Sequence, residues 1–96
     1  MIRSFGDAAT EDLYHGRQSS RTRRFPHTIT SIALRKLDMM NAARELMDLR
    51  MPPGNRLEAL KGDREGFYSI RINDQWRIIF RWKNGGVENF SIVDYH

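Results

Sequence analysis

The sequence predicts a single α+β domain, with two N-terminal helices packed on one face of a three- to four-stranded antiparallel sheet. Three observations carry this. Apolar residues recur at spacings of three and four between Ile29 and Met47. From Arg56 onward the pattern changes to alternation with period two. Two turn signals, Asn73-Asp74 and Asn84-Gly85, cut the alternating half into hairpin-sized pieces. The chain of 96 residues is one domain's worth, with a single modest core.

Each element follows from local chemistry. Ile2-Arg3-Ser4-Phe5 alternates and is expected as a short N-terminal strand. Asp7 is placed as an N-cap, Glu11 complements the positive end of the helix, and Gly16 is a stop, so Ala8–His15 is expected as a short helix with Leu13 inward. Pro26 and Thr28 open a longer helix. Its stripe is Ile29, Ile32, Ala33, Leu37, Met40, Ala43 and Met47, and Pro52-Pro53-Gly54-Asn55 ends it. Arg56–Lys61 is expected as the first strand of the sheet, closed by Gly62-Asp63. Phe67–Ile72 and Trp76–Trp82 follow, joined by Asn73-Asp74 as a two-residue turn. Asn84-Gly85 leads into the last strand, Val87–Tyr95.

Sixteen Lys+Arg against twelve Asp+Glu give a net charge of +4, which favours an anionic partner: nucleic acid, membrane surface or acidic protein. The absence of cysteine excludes disulfides and thiolate metal sites. No apolar run approaches the roughly 18 residues of a membrane span, and Met1–Thr10 has no signal-peptide core. The expected location is the cytoplasm, with no membrane partner. The cations are concentrated. Between Leu13 and Leu37 stand Arg17, Arg21, Arg23, Arg24, Arg35 and Lys36 without one carboxylate. Residues 16–27 therefore read as a basic flexible loop, either a solvated connection or an arm that touches phosphates or an acidic partner.

Strand alternation sorts the second half. Tyr68, Ile70 and Ile72, with Trp76, Ile78, Phe80 and Trp82, form an apolar face for the helices. Arg71, Arg77 and Arg81 fall on the other face, where like charges on adjacent strands cost stability that a polyanion would recover. After Phe90-Ser91-Ile92-Val93 come Asp94, Tyr95 and His96, three side chains that can hold, donate or accept a proton. If the strand stays regular, Asp94 and His96 project to the same side. A proton-transfer group beside a cationic row suits metal-independent phosphodiester cleavage, in which a base takes the proton of a 2′-hydroxyl and cations stabilise the phosphorane-like transition state. No metal-ligand cluster or glycine-rich phosphate loop is present in the sequence, and no cofactor is expected.

Leu57-Glu58-Ala59-Leu60-Lys61-Gly62-Asp63, Gly66-Phe67-Tyr68-Ser69-Ile70, Trp76-Arg77-Ile78-Ile79-Phe80 and Val93-Asp94-Tyr95-His96 stand in this order along the chain. Together with Met1-Ile2-Arg3-Ser4-Phe5 they resemble the HigB branch of the RelE/ParE toxin superfamily, along essentially the whole length and least well over Gly16–His27. The resemblance implies a toxin of a type II toxin–antitoxin pair that cuts messenger RNA in the ribosomal A site and so halts translation. It implies a HigA-like helix-turn-helix antitoxin, with operator DNA contacted only through the toxin–antitoxin complex.

By resemblance, Asp94, Tyr95, His96, Arg77 and Lys61 are the catalytic candidates. Arg71, Arg81, Arg56, Arg23 and Arg24 are the RNA-binding candidates. Many relatives have a histidine where this chain has Glu58. Either Glu58 substitutes for it in proton transfer, or His96 does that work while Glu58 forms an ion pair near Arg56. Two rival functions share these features: a ParE-like inhibitor of DNA gyrase without nuclease activity, and a non-catalytic nucleic-acid-binding module.

Overall fold

A computed structural model describes residues 1–94 of the chain. Two helices, α1 (Ala8–Tyr14) and α2 (His27–Ala42), precede four strands: β1 (Glu58–Ala59), β2 (Tyr68–Arg71), β3 (Trp76–Lys83) and β4 (Gly86–Asp94). The strands pair antiparallel in the order β1-β2-β3-β4, the expected meander.

The caps read from sequence are formed. Asp7 accepts a hydrogen bond from the Thr10 backbone N–H at 2.7 Å, and Gly16 has φ +71° just beyond α1. Asn84 and Gly85 both take positive φ, 51° and 74°, the condition for a tight hairpin between β3 and β4. The core lies between the helices and one sheet face. Ala33, Leu37, Met40, Ile70, Ile78, Phe80, Phe90 and Ile92 are fully buried there. Thr10, also fully buried, ties α1 to the sheet by accepting the Ile92 N–H at 3.0 Å.

Several expectations are corrected. Ile2–Phe5 does not form a strand; it makes two isolated parallel bridges to β4, Ile2 with Val87 and Phe5 with Phe90. Between them Asn89 adopts φ 52°, and its N–H donates to Ser4 Oγ at 2.9 Å. Asn89 also explains a change of phase in β4. Ile79 pairs with Ser91, but Arg81 pairs with Glu88, so two β4 residues face Phe80 alone. This bulge lets Val87 and then Phe90 and Ile92 all point into the core, which strict alternation would forbid.

The first strand is shorter than expected, because Arg56 is left-handed at φ 47° and cannot extend it. Asn73 does not make a positive-φ turn. Its side-chain oxygen accepts from the Gln75 and Trp76 N–H groups, both at 2.8 Å, in the four-residue connection between β2 and β3. Met47 leaves the helical stripe, since α2 ends at Ala42 and a 3-10 turn, Leu46–Arg50, starts anew with a Glu45–Asp48 capping box. Met47 is 53% exposed.

The basic segment contains a 3-10 turn, Thr22–Arg24, and the buried Phe25. Its charge is met by carboxylates that precede it in the chain. Asp12 stands 3.1 Å from Arg21 and 3.6 Å from Arg17, and it accepts from Ser19 Oγ at 2.9 Å. Asp7 stands 3.3 Å from Arg24. No helix among the described residues is long and apolar enough to cross a membrane.

Candidate active site

The sheet face turned away from the helices carries the candidate site. Cross-strand partners share a face, so the register assigns its members. Arg71 on β2 stands directly opposite Arg77 on β3. One row along, Glu58, Ser69, Ile79 and Ser91 line up across all four strands. Arg81 lies further on and places its guanidinium 4.7 Å from the centre of the Phe67 ring.

Arg77 is the most constrained of the three arginines. Its side chain is 11% exposed. One guanidinium nitrogen, Nη2, donates to the Arg56 carbonyl at 2.8 Å, while Nη1 stands 3.8 Å from the Glu58 carboxylate. The left-handed turn at Arg56 aims that carbonyl, and the buried carboxamide of Asn55 anchors the turn. Asn55 accepts from Lys36 Nζ at 2.6 Å and donates to the carbonyls of Leu49 at 3.1 Å and Met51 at 3.3 Å. Burial, together with the neighbouring charges of Arg35 and Arg71, holds the Lys36 ammonium below its ordinary pKa. Arg71 is bonded to Asp74 across the loop between β2 and β3. Each of these two facing guanidinium groups is therefore offset by a carboxylate, which reduces the repulsion between them.

Sequence reasoning missed Asn55, read only as turn punctuation, and Gln75, whose side-chain amide donates to Asp94 at 3.0 Å. A Pro-Pro-Gly-Asn run before an arginine is the one available signal for the first. Glu58 pairs with Arg77 rather than with Arg56, because Arg56 turns left-handed and offers its carbonyl to the site.

The other candidates are dispersed. Lys61 is exposed where the chain leaves β1 for a 3-10 turn, Gly62–Arg64. Arg56 contributes its carbonyl and keeps its side chain in an exposed position. Arg23 and Arg24 belong to the helix layer, not to the arginine face; Arg24 sits 5.1 Å over the Phe25 ring, which packs edge-on to Trp76. Asp94 is paired with Trp76, whereas Val93 is paired with Arg77. Backbone alternation thus directs Asp94 to the Trp76 side of the sheet end, not into the arginine row. Tyr95 and His96 lie outside the described residues. Among the described residues no group of three or more His, Cys, Asp or Glu side chains converges as metal ligands.

Two facing guanidinium groups, one held in a fixed orientation by a carbonyl, present paired donors of the kind that an oxyanion can accept. A guanidinium whose orientation is set before the ligand arrives can stabilise charge developing in a transition state without reorganising.

Comparison with known proteins places this geometry in context. The family model for the RelE-like toxin of the type II toxin–antitoxin system HigB matches residues 3–96. Toxin HigB-1 of Vibrio cholerae serotype O1 is 42% identical over 96 residues, which is 100% of this chain and 98% of the relative. Endoribonuclease HigB of Proteus vulgaris is 46% identical over 41 residues, 43% of this chain and 45% of the relative. Among solved structures, the YoeB–YefM complex from Staphylococcus aureus contains a chain similar with a TM-score of 0.62 at 18% identity, covering 100% of this chain and 98% of that one. YafQ from E. coli has a TM-score of 0.52 at 13% identity, covering 95% and 92%. At these identities the two structures speak to the fold, a RelE-like α+β arrangement.

Proposed function

The chain belongs to the HigB family of RelE-like toxins of type II toxin–antitoxin systems, and from that premise we propose that it is a ribosome-dependent endoribonuclease that cuts messenger RNA in the A site and stops translation in the cytoplasm. A HigA-like helix-turn-helix antitoxin neutralises it, and operator DNA is met only through the complex of the two. The observation that carries the reading is the Arg71–Arg77 pair on the sheet face turned away from the helices, with Arg77 fixed by the Arg56 carbonyl. The Proteus vulgaris relative, named an endoribonuclease, supports the same chemistry.

In the proposed reaction Arg77 and Arg71 take the scissile phosphate, and Arg81, Arg56 and Lys61 hold the flanking backbone. Glu58 is the resting partner of Arg77 and gives way to the phosphate. Proton transfer then falls to His96, assisted by Tyr95; Asp94, on the Trp76 side of the sheet end, accepts from Gln75 and stands apart from the phosphate-binding arginines. The 2′-hydroxyl loses its proton to the base as its oxygen attacks phosphorus. The bond from phosphorus to the 5′-oxygen breaks, and that oxygen receives a proton. The products are a 2′,3′-cyclic phosphate and a 5′-hydroxyl, and the step balances without a metal.

The test is a map of message ends after brief expression, compared with the purified protein acting on the same RNA without ribosomes. The expected result is cutting within ribosome-bound reading frames and none in the free RNA. His96→Ala should remain folded and lose both cutting and toxicity. Intact message with arrested DNA gyrase would overturn the reading in favour of a ParE-like inhibitor. Intact message with salt-sensitive RNA binding would favour a non-catalytic module.

A further inference from the structure

On the helix side of the molecule, away from the arginine face, a groove of about 820 Å³ runs between the basic segment and the start of α2. Leu13, Phe25 and Leu34 contribute apolar surface to it, and Arg17, Arg23 and His27 add basic side chains. Among the described residues no carboxylate lines it. The wall formed by the basic segment is built, since buried Asp12 gathers Ser19, Arg21 and Arg17 from it. That single carboxylate does not neutralise the region. Among the described residues no Asp or Glu forms an ion pair with Arg23.

We propose that this groove is the docking site for a short acidic, amphipathic segment of the antitoxin, seated with its apolar side chains on Leu13 and Leu34 and its carboxylates on Arg17 and Arg23. The inference rests on the toxin–antitoxin part of the reading above and is independent of its catalytic part. Two features select a peptide over the other candidates. A single-stranded nucleic acid is gripped by exposed aromatic platforms, but Phe25, the aromatic residue of the groove, is only 4% exposed. A second copy of this chain would bring a net charge of +4 against a basic rim. An acidic amphipathic segment satisfies both halves of the surface, with apolar burial supplying affinity and charge supplying orientation and encounter rate.

The experiment uses the full-length toxin carrying His96→Ala, so that it can be produced without its partner. Overlapping peptides of about 15 residues spanning the antitoxin encoded beside it are titrated by fluorescence anisotropy. The tightest peptide is expected to be acidic and amphipathic. Its affinity should fall about tenfold or more with Arg23→Glu, and be unchanged with Arg71→Glu on the opposite face. A reciprocal Glu→Arg peptide should recover affinity for the Arg23→Glu protein. The proposal is overturned if no antitoxin peptide binds, if binding is indifferent to Arg23→Glu, or if a polyuridylate of similar length displaces the peptide competitively, which would assign the groove to RNA. Message mapping with the wild-type toxin reports separately on catalysis, so either reading can fail alone.

Discussion

Glu58 and Arg77, on strands separated by β2, meet across Ser69: the carboxylate stands 3.8 Å from Nη1 while the Arg56 carbonyl occupies Nη2 at 2.8 Å. The two acceptors differ in kind. The carbonyl orients the arginine and remains compatible with a bound phosphate. The carboxylate is an anion at the place where the phosphate should sit. Glu58 is 54% exposed in its side chain, so the pair is a solvent-screened one worth about 1 kcal/mol or less.

Replacing Glu58 with Gln should therefore tighten binding of single-stranded RNA by up to about fivefold, as expected for release of a weak surface pair. Cleavage on the ribosome should persist. Titration of a labelled RNA and a message-end map measure the two separately. Loss of cleavage in Glu58→Gln with binding retained would instead make Glu58 the proton-transfer group.

Arg77→Lys keeps the charge and loses the two-pronged geometry. Cleavage should fall by roughly a hundredfold, the order seen when one preorganised donor to a developing oxyanion is removed. The circular dichroism spectrum should be unchanged, because Arg77 lies outside the core. A lysine variant as active as the parent would show that charge alone suffices there.

Asn55 joins α2, the 3-10 turns and the Arg56 carbonyl. Asn55→Ala strands the carbonyls of Leu49 and Met51 and takes the acceptor from Lys36. A loss of about 2–3 kcal/mol in stability is expected for buried groups left without partners. It should be read as a lower urea midpoint at constant slope. Cleavage should fall as well at temperatures where the variant is fully folded, since the carbonyl that aims Arg77 is released.

The hydroxyl of Ser19 and the guanidinium of Arg21 hold the Asp12 carboxyl below the usual carboxylate range, against the opposing effect of its burial. A carboxylate with a folded pKa below its unfolded value contributes stability above the unfolded value, near 3.8, and loses it as pH falls through the lower folded value. Acidification from pH 5 toward 3 should therefore loosen residues 16–25 first, visible as faster amide exchange. Asp12→Asn should show the loosening already at pH 5 and little further change below it.

Asn89 holds a left-handed conformation that side chains branched at Cβ avoid. Asn89→Val should destabilise the fold by about 1–2 kcal/mol through backbone strain, with the hydrogen bond from the Ser4 hydroxyl to the Asn89 side-chain oxygen lost in addition. Asn89→Gly should cost less, because glycine accepts this φ. Thermal unfolding of the two variants side by side checks the order.

These features differ in how far the sequence exposes them. The Asp7 cap, the Asn84-Gly85 turn and the two periodicities depend on residues close together in the chain, and they are readable without coordinates. That Arg71 and Arg77 stand on adjacent strands was also legible, but their direct opposition was not: a two-residue turn at Asn73-Asp74 would pair Arg71 with Trp76, and the longer loop shifts the register. The rest depends on meetings at a distance. Asp12 answers a basic segment that lies after it, so a scan of that segment for carboxylates finds none. Glu58 reaches Arg77 because Arg56 turns left-handed, and arginine carries no propensity that announces this. The side to which Asp94 belongs is set at Asn89, five residues earlier in β4, where an asparagine reads as an ordinary surface residue.

That last point reaches into how such a chain can vary. Since the bulge switches the parity of β4, inserting or deleting one residue between Gly86 and Phe90 turns over everything that follows it. Two such changes together restore the original sides. A lineage that straightened this strand would have to lose a residue in the same stretch or forfeit the orientation of its carboxy-terminal end. Length differences among relatives in this hairpin should therefore occur together with the presence or absence of the bulge, and the count of residues after the Asn84-Gly85 turn becomes an inherited constraint in its own right.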